Sequence, residues 1–234
     1  MSPGSSMGEE HKVHPPRQRP EIKRRLSLFF RLFAWLIRNT VGRYLPVRTE
    51  GLDGLPREPF ILACNHLSIL DPPLLCAYVM GHLRCMLSPA ATKGLFVWPL
   101  SWLFRNMGAF SVDREFNRNL ATVRGILRTL ENNPILIFPE GGVVKRHERR
   151  VGRPGASFLA SRSGAPVVPA IVVDTDLALP EGAHWIRRRP VILRFGAPIM
   201  FDERERGHPK LMTARIMAAI EALKTPDPKT KEQP

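Results

Sequence analysis

Cysteine is scarce: the 234 residues hold three, Cys64, Cys76 and Cys85, odd in number and without a C-x-x-C pair. This excludes a disulfide framework and a cysteine-rich zinc site, and it suits a reducing cytosol. Acidic residues are also few, with 21 Asp and Glu against 35 Lys and Arg, a net charge of +14. An excess of that size calls for a polyanionic partner: nucleic acid, an anionic membrane surface or a phosphorylated small molecule. Long apolar runs are missing as well. The most apolar stretch, LSLFFRLFAWLI at 26–37, is interrupted by Arg31 and falls short of the roughly 20 residues that cross a bilayer. Residues 1–20 are polar and Pro-rich with no apolar core, so they read as a disordered lead and not as a secretory signal. The chain also lacks a Gly-x-Ser-x-Gly elbow, and no cysteine sits in an evident nucleophile setting.

What is present suits one folded domain. Hydrophobic residues make up 44% and charged residues 24%, which supports a substantial core and argues against wholesale disorder. In the 26–37 stretch Leu26, Phe29, Phe30, Phe33, Leu36 and Ile37 fall at helical spacing, with Lys23, Arg24, Arg25, Arg31 and Arg38 supplying positive charge. A helix over 21–44 is predicted, and it admits two readings. One is an in-plane helix on an anionic membrane, acyl chains below and phosphates above. The other is an amphipathic helix packed on its own domain. Phe29, Leu32, Phe33, Trp35 and Leu36 cover more than one face, which favours the membrane.

Downstream, short apolar runs alternate with amphipathic ones. Strands are predicted at 60–64, 83–87, 109–112, 134–138, 166–173 and 190–195. Helices are predicted from Asp71-Pro72-Pro73 onward, brokenly over 91–107, and at 117–131, 154–163 and 209–223. Residues 51–59 read as a surface connection, and Asp71 as a helix N-cap. This alternation predicts a single α/β domain over 45–225, a largely parallel central sheet flanked by helices, followed by a polar tail at 226–234.

Candidate chemistry lies at strand ends. Asn65-His66 follows the FILAC strand, and Asp71 stands five positions on. A histidine there faces the crevice where open α/β sheets bind ligands, and a nearby Asp can hold one imidazole nitrogen and leave the other as a base. With no protein nucleophile in view, such a base suits direct attack by a substrate hydroxyl. The plain alternative is that Asp71 only caps a helix and His66 is a loop residue. Arg114, closing GAFSVDR, either forks onto a phosphate or pairs with Asp113. Glu140, Gly141 and Gly142 end the PILIF strand, where a carboxylate and a glycine backbone can approach a ligand. Lys145, Arg146, His147, Arg149, Arg150 and Arg153 then form a basic stretch that is either solvated or grips phosphate. The basic residues lack the aromatic platforms of nucleic-acid modules, so no nucleic-acid partner is expected.

Together the pieces carry a resemblance. NHLSILD at 65–71 matches an N-H-x-x-x-x-D motif, and GAFSVDR at 108–114, FPEGG at 138–142 and VVPAIV at 167–172 follow in order. The chain resembles the PlsC-like 1-acylglycerol-3-phosphate acyltransferases over roughly residues 45–200. The resemblance implies transfer of a fatty acyl group from acyl-CoA or acyl-carrier protein to a lysophospholipid hydroxyl, as in phosphatidic acid and phospholipid biosynthesis. It implies neither metal nor cofactor, and a peripheral or monotopic place on the cytoplasmic face of the cell membrane. His66 is then the expected general base and Asp71 its orienting partner. Arg114 is expected to hold the acceptor's phosphate, Glu140 and Gly141 to shape the acceptor site, and Val168 and Pro169 to lie near a substrate pocket. Backbone N–H groups near the Pro72 helix start are expected to stabilise the oxyanion. The third block departs from the family pattern: Gly142-Val143-Val144 stands where a hydroxyl and a second phosphate-facing Arg are usual. Lys145 and Arg146 are the candidates to substitute, and a different lysolipid or glycolipid acceptor is the alternative.

Overall fold

Seven strands form one sheet in the order β1-β7-β6-β2-β5-β3-β4. The computed structural model describes residues 20–22, 26–91, 110–111, 120–145, 148 and 151–224. Strands β2 (Ile61–Cys64), β3 (Ser88–Ala91), β4 (Phe110–Ser111), β5 (Ile135–Ile137) and β6 (Val167–Val173) run parallel. Strands β1 (Val47–Glu50) and β7 (Val191–Phe195) are parallel to each other, and β7 meets β6 antiparallel.

The strand sequences are apolar on both faces because helices cover both. In β2, Leu62 and Cys64 point into one core and Ile61 and Ala63 into the other, with period-two alternation. The first core lies under α1 (Leu28–Asn39) and α3 (Asp71–Leu83). The second lies under α4 (Leu120–Leu130), α5 (Gly155–Ser163) and α8 (Pro209–Ala222). Short helices α2 (Val41–Tyr44), α6 (Thr175–Ala178) and α7 (Glu203–Arg206) sit in the connections. The result is a three-layer α/β/α domain.

Helix α1 starts at Leu28, where the Ser27 hydroxyl accepts from Phe30 N at 3.5 Å. The expected helical segment over 21–44, bent or paired with the next segment, is in two parts and starts later: Ile22 lies outside the helices, buried and donating its N–H to the Arg57 carbonyl, and Thr40 separates α1 from α2. Phe30 and Ala34 bury against the domain while Leu28, Phe29, Leu32, Trp35 and Leu36 stay exposed. The packed reading thus holds for part of this helix. One face is packed, and the other presents large apolar side chains. Among the described residues no helix is long and apolar enough to cross a membrane.

Other expectations shift. The strand expected at 83–87 is not formed: α3 continues to Leu83, and the strand begins at Ser88. Buried Leu75, Val79 and Met80 keep the helix going. Residues 51–59 do not join outer helices to the body, because β1 before them already pairs with β7 as a sheet edge. The expected broken helix at 91–107, residues 117–119 and the two tails lie largely or wholly outside the described residues, save Ala91, which closes β3.

Candidate active site

Three adjacent parallel strands, β6, β2 and β5, deliver their carboxyl ends to one place. After β2 come Asn65 and His66, after β5 come Phe138 to Gly142, and after β6 come Asp174 and Thr175. Asn65 ties two of these ends together. Its amide donates to the Val172 carbonyl at 3.0 Å and accepts from Val172 N at 2.6 Å, extending the β2–β6 pairing by a side chain.

Asp71 is fully buried and its carboxylate accepts four hydrogen bonds. Oδ2 receives Leu67 N at 2.6 Å, Ser68 N at 2.8 Å and His66 Nδ1 at 2.9 Å; Oδ1 receives the Thr175 hydroxyl at 2.5 Å. Asp71 is thus not the N-cap of α3. Leu70 occupies that position, and the Asp71 side chain folds back over the preceding loop. A carboxylate accepts only, so the bond to Nδ1 places the imidazole proton there and leaves the Nε2 lone pair for chemistry. His66 lies in the loop after β2, and its ring is held on one side by the buried Asp71 carboxylate.

The β5 end clamps His66 from the other direction. Glu140, buried, accepts from His66 N at 2.8 Å, and Val144 N donates to the His66 carbonyl at 2.9 Å. The Phe138 ring stacks on the imidazole, 4.1 Å between centroids at 20°. Its side chain is 15% exposed, so the histidine is held yet reachable. Gly141 adopts φ +75°, and a Cβ there would come within 2.6 Å of Arg153 Nε, so glycine is required both for the turn and for the guanidinium lying over it.

His66, Asp71, Glu140 and Gly141 are therefore brought together. Lys145 follows the loop pinned to His66, but its ammonium faces Glu181 at 3.6 Å on an exposed surface. Arg114 and Arg146 lie outside the described residues. Val168 and Pro169 sit near the start of β6, Val168 in the core, and the part of that strand reaching the site is its other end. The expected oxyanion donors at the start of α3 are not available. Pro72 and Pro73 carry no N–H, Asp71 N donates to the Ser68 carbonyl and Leu74 N to the Leu70 carbonyl. Sequence reasoning missed Thr175 and the stacking role of Phe138. Thr175 is 104 residues from Asp71, and only its place after the β6 run hinted at it. Arg153 was visible only as one cation in a basic stretch.

Comparison with known proteins gives a consistent picture. A family model described as Acyltransferase matches residues 46–173. The chain is 29% identical over 146 residues to the chloroplastic 1-acyl-sn-glycerol-3-phosphate acyltransferase BAT2 of Brassica napus, covering 58% of this chain and 40% of the relative. It is 27% identical over 164 residues to the 1-acyl-sn-glycerol-3-phosphate acyltransferase of Saccharomyces cerevisiae, covering 66% of this chain and 52% of the relative. The chain thus spans 40% to 54% of the length of such relatives. The fold is similar to the crystal structure of the 1-acyl-sn-glycerophosphate (LPA) acyltransferase PlsC from Thermotoga maritima, with TM-score 0.58 and 19% identity, over 86% of this chain and 97% of that one.

Proposed function

This chain belongs to the acyltransferase family, and from that premise we propose that it transfers a fatty acyl group from a thioester donor to the free hydroxyl of 1-acylglycerol-3-phosphate. The observation that carries the reading is the His66–Asp71 pair at 2.9 Å at the carboxyl edge of the sheet, with no partner on Nε2 among the described residues. The acceptor hydroxyl gives its proton to Nε2 as its oxygen attacks the thioester carbonyl carbon. Asp71 holds the resulting imidazolium. The tetrahedral adduct collapses, the C–S bond breaks, and the leaving sulfur takes the proton from Nε2. The free base is restored and no acyl group passes through the protein. A thiolate leaves readily, so positioning and one base suffice. Arg114 is assigned to the acceptor's phosphate, and Glu140, Gly141, Lys145 and Arg146 to the wall around it.

The donor is acyl-CoA or acyl-carrier protein, and the enzyme works at the cytoplasmic face of a membrane through the exposed side of α1. A second reading has one observation in its favour. Gly142-Val143-Val144 replaces the hydroxyl and arginine usual in the third block, which suits a lysolipid acceptor other than lysophosphatidate. Purified protein given each donor in turn with a panel of lysolipids separates the two. Phosphatidic acid as the dominant product supports the first reading. Preferential acylation of a phosphate-free lysolipid would replace it with the second, and no acyl transfer to any lipid would overturn both.

A further inference from the structure

A groove of about 440 Å³ lies between α1 and the C-terminal end of α3, with Arg31, Arg38 and Arg84 in its lining and no acidic residue among the described ones there. It is apart from His66: its lining from Tyr78 to Arg84 begins 7 and ends 13 residues beyond Asp71, about 10–20 Å along the helix at about 1.5 Å each. Among the described residues none of the three arginines is ion-paired with a carboxylate. Three cations facing one concavity repel one another unless an anion joins them.

Two of them are set in place by the fold. The Arg38 guanidinium lies 5.3 Å from the Tyr78 ring centroid, and a Cβ on Gly81 would come within 2.8 Å of its Nη1, so the missing side chain makes its berth. Burial pushes the Tyr78 phenol upward in pKa while the Arg38 charge pulls it back, a sign that this charge is felt inside the groove. Arg84 caps α3 in the left-handed region, φ 56° and ψ 30°. Helix ends in that conformation favour glycine. Arginine there carries a backbone cost that glycine would not. Directly beside the groove, Leu28, Leu32, Trp35 and Leu36 present their exposed apolar face.

We propose that this groove is a binding site for the phosphate of an anionic phospholipid headgroup, held by Arg31, Arg38 and Arg84 while the apolar face of α1 enters the acyl region. The site rests on the reading of α1 as a membrane-surface helix and adds to it a specific recognition element. Guanidinium forks match phosphate oxygens in pairs, and Trp35 and Tyr78 suit the interfacial depth at which headgroup phosphates lie. The site differs from diffuse attraction in that position matters and not only net charge.

Vesicle flotation tests it, with phosphatidylcholine alone and phosphatidylcholine carrying phosphatidylglycerol. Arg38→Gln with Arg84→Gly should weaken binding to the anionic vesicles about tenfold or more, and leave binding to phosphatidylcholine alone unchanged. Arg124→Gln with Arg128→Gln removes the same charge from α4, on the opposite face of the sheet, and should change anionic binding far less. Arg84→Gly alone should raise the melting temperature while weakening anionic binding, so a binding loss there cannot come from misfolding. Equal losses from the groove pair and the α4 pair would overturn the site in favour of diffuse attraction. Displacement of wild type by inorganic phosphate beyond that by chloride of equal ionic strength is expected of a phosphate site. Groove variants that lose this phosphate effect yet keep full binding to the anionic vesicles would make free phosphate the ligand and overturn the lipid assignment. Wild-type protein that floats with neither vesicle would overturn the membrane reading itself. Wild-type flotation unchanged by the groove variants would overturn the groove alone.

Discussion

The two ends of α3 are built on opposite plans. At Asp71 every polar contact is closed: four hydrogen bonds converge on one buried carboxylate and fix a histidine. At Arg84 the chain stands in a strained conformation above a groove whose arginines have no carboxylate partners among the described residues. Satisfied polar networks rigidify, and rigidity is what a proton-transfer site needs. Unsatisfied cations at a surface wait for an anion. The contrast implies that chemistry and docking are separable along one helix.

The largest effect should come from the closed end. His66→Ala should lower kcat by about 10²–10⁴-fold with an unchanged circular dichroism spectrum. More than a tenth of the activity remaining would deny His66 the role of base. Asp71→Asn comes next, because it turns an amide NH2 or a single carbonyl toward the donors that now share a carboxylate. It should cost about 1–3 kcal/mol of stability as well as activity, read from thermal melts beside kcat. Thr175→Val removes one donor and leaves Oδ1 without it, so it should move both quantities in the same direction by less. A Thr175→Val enzyme with native melting and native kcat would break the claim that this end acts as one unit.

Backbone choices at the two ends give a paired prediction of intermediate size. Gly141→Ala forces a Cβ against Arg153 at φ +75° and should destabilise by about 1–2 kcal/mol. Arg84→Gly relieves the same kind of strain and should raise Tm by about 2–4 °C for each kcal/mol regained. Opposite signs sharpen the contrast, and like signs would erase it.

The smallest effect concerns Cys76 on α3 between the two ends. Burial pushes its thiol from 9.0 up to about 12. A folded pKa raised above the unfolded one contributes stability that is whole below the unfolded value, then shrinks as pH rises from about 9 toward about 12. Melts across that window should fall more steeply for wild type than for Cys76→Ala. Equal slopes would mean the thiol is not shielded.

The sheet and its parallel character were legible because both-face burial writes near-continuous apolar runs such as FILAC, PILIF and VVPAIVV. Strand β1, VRTE, was not: as an edge strand it is half exposed and carries polar residues, so its membership comes from pairing with β7. The strand misplaced at 83–87 reflects the same ambiguity, since Leu83 to Leu87 is apolar enough for either element and the αL turn at Arg84 decides. His66, Asp71, Glu140 and Gly141 were legible because they stand at strand ends in short local patterns. Thr175 was not, because its contact with Asp71 exists only once β6 lies beside β2. The dual character of α1 was half legible: its apolar excess showed more than one face, while which residues are packed depends on α3. Because Ile22, Phe30 and Ala34 are buried in the domain, excising the first 44 residues would uncover core, and point substitutions are the cleaner probe.

One assay tests the separation directly: acyl transfer to a short-chain, water-soluble lysophosphatidate and to the same acceptor class in anionic vesicles, for wild type, His66→Ala and Arg84→Gly side by side. The account predicts that His66→Ala loses both activities, while Arg84→Gly keeps the soluble one and loses a large part of the vesicle one. Soluble-acceptor activity that survives in His66→Ala, or that falls in Arg84→Gly as far as vesicle activity does, would contradict it.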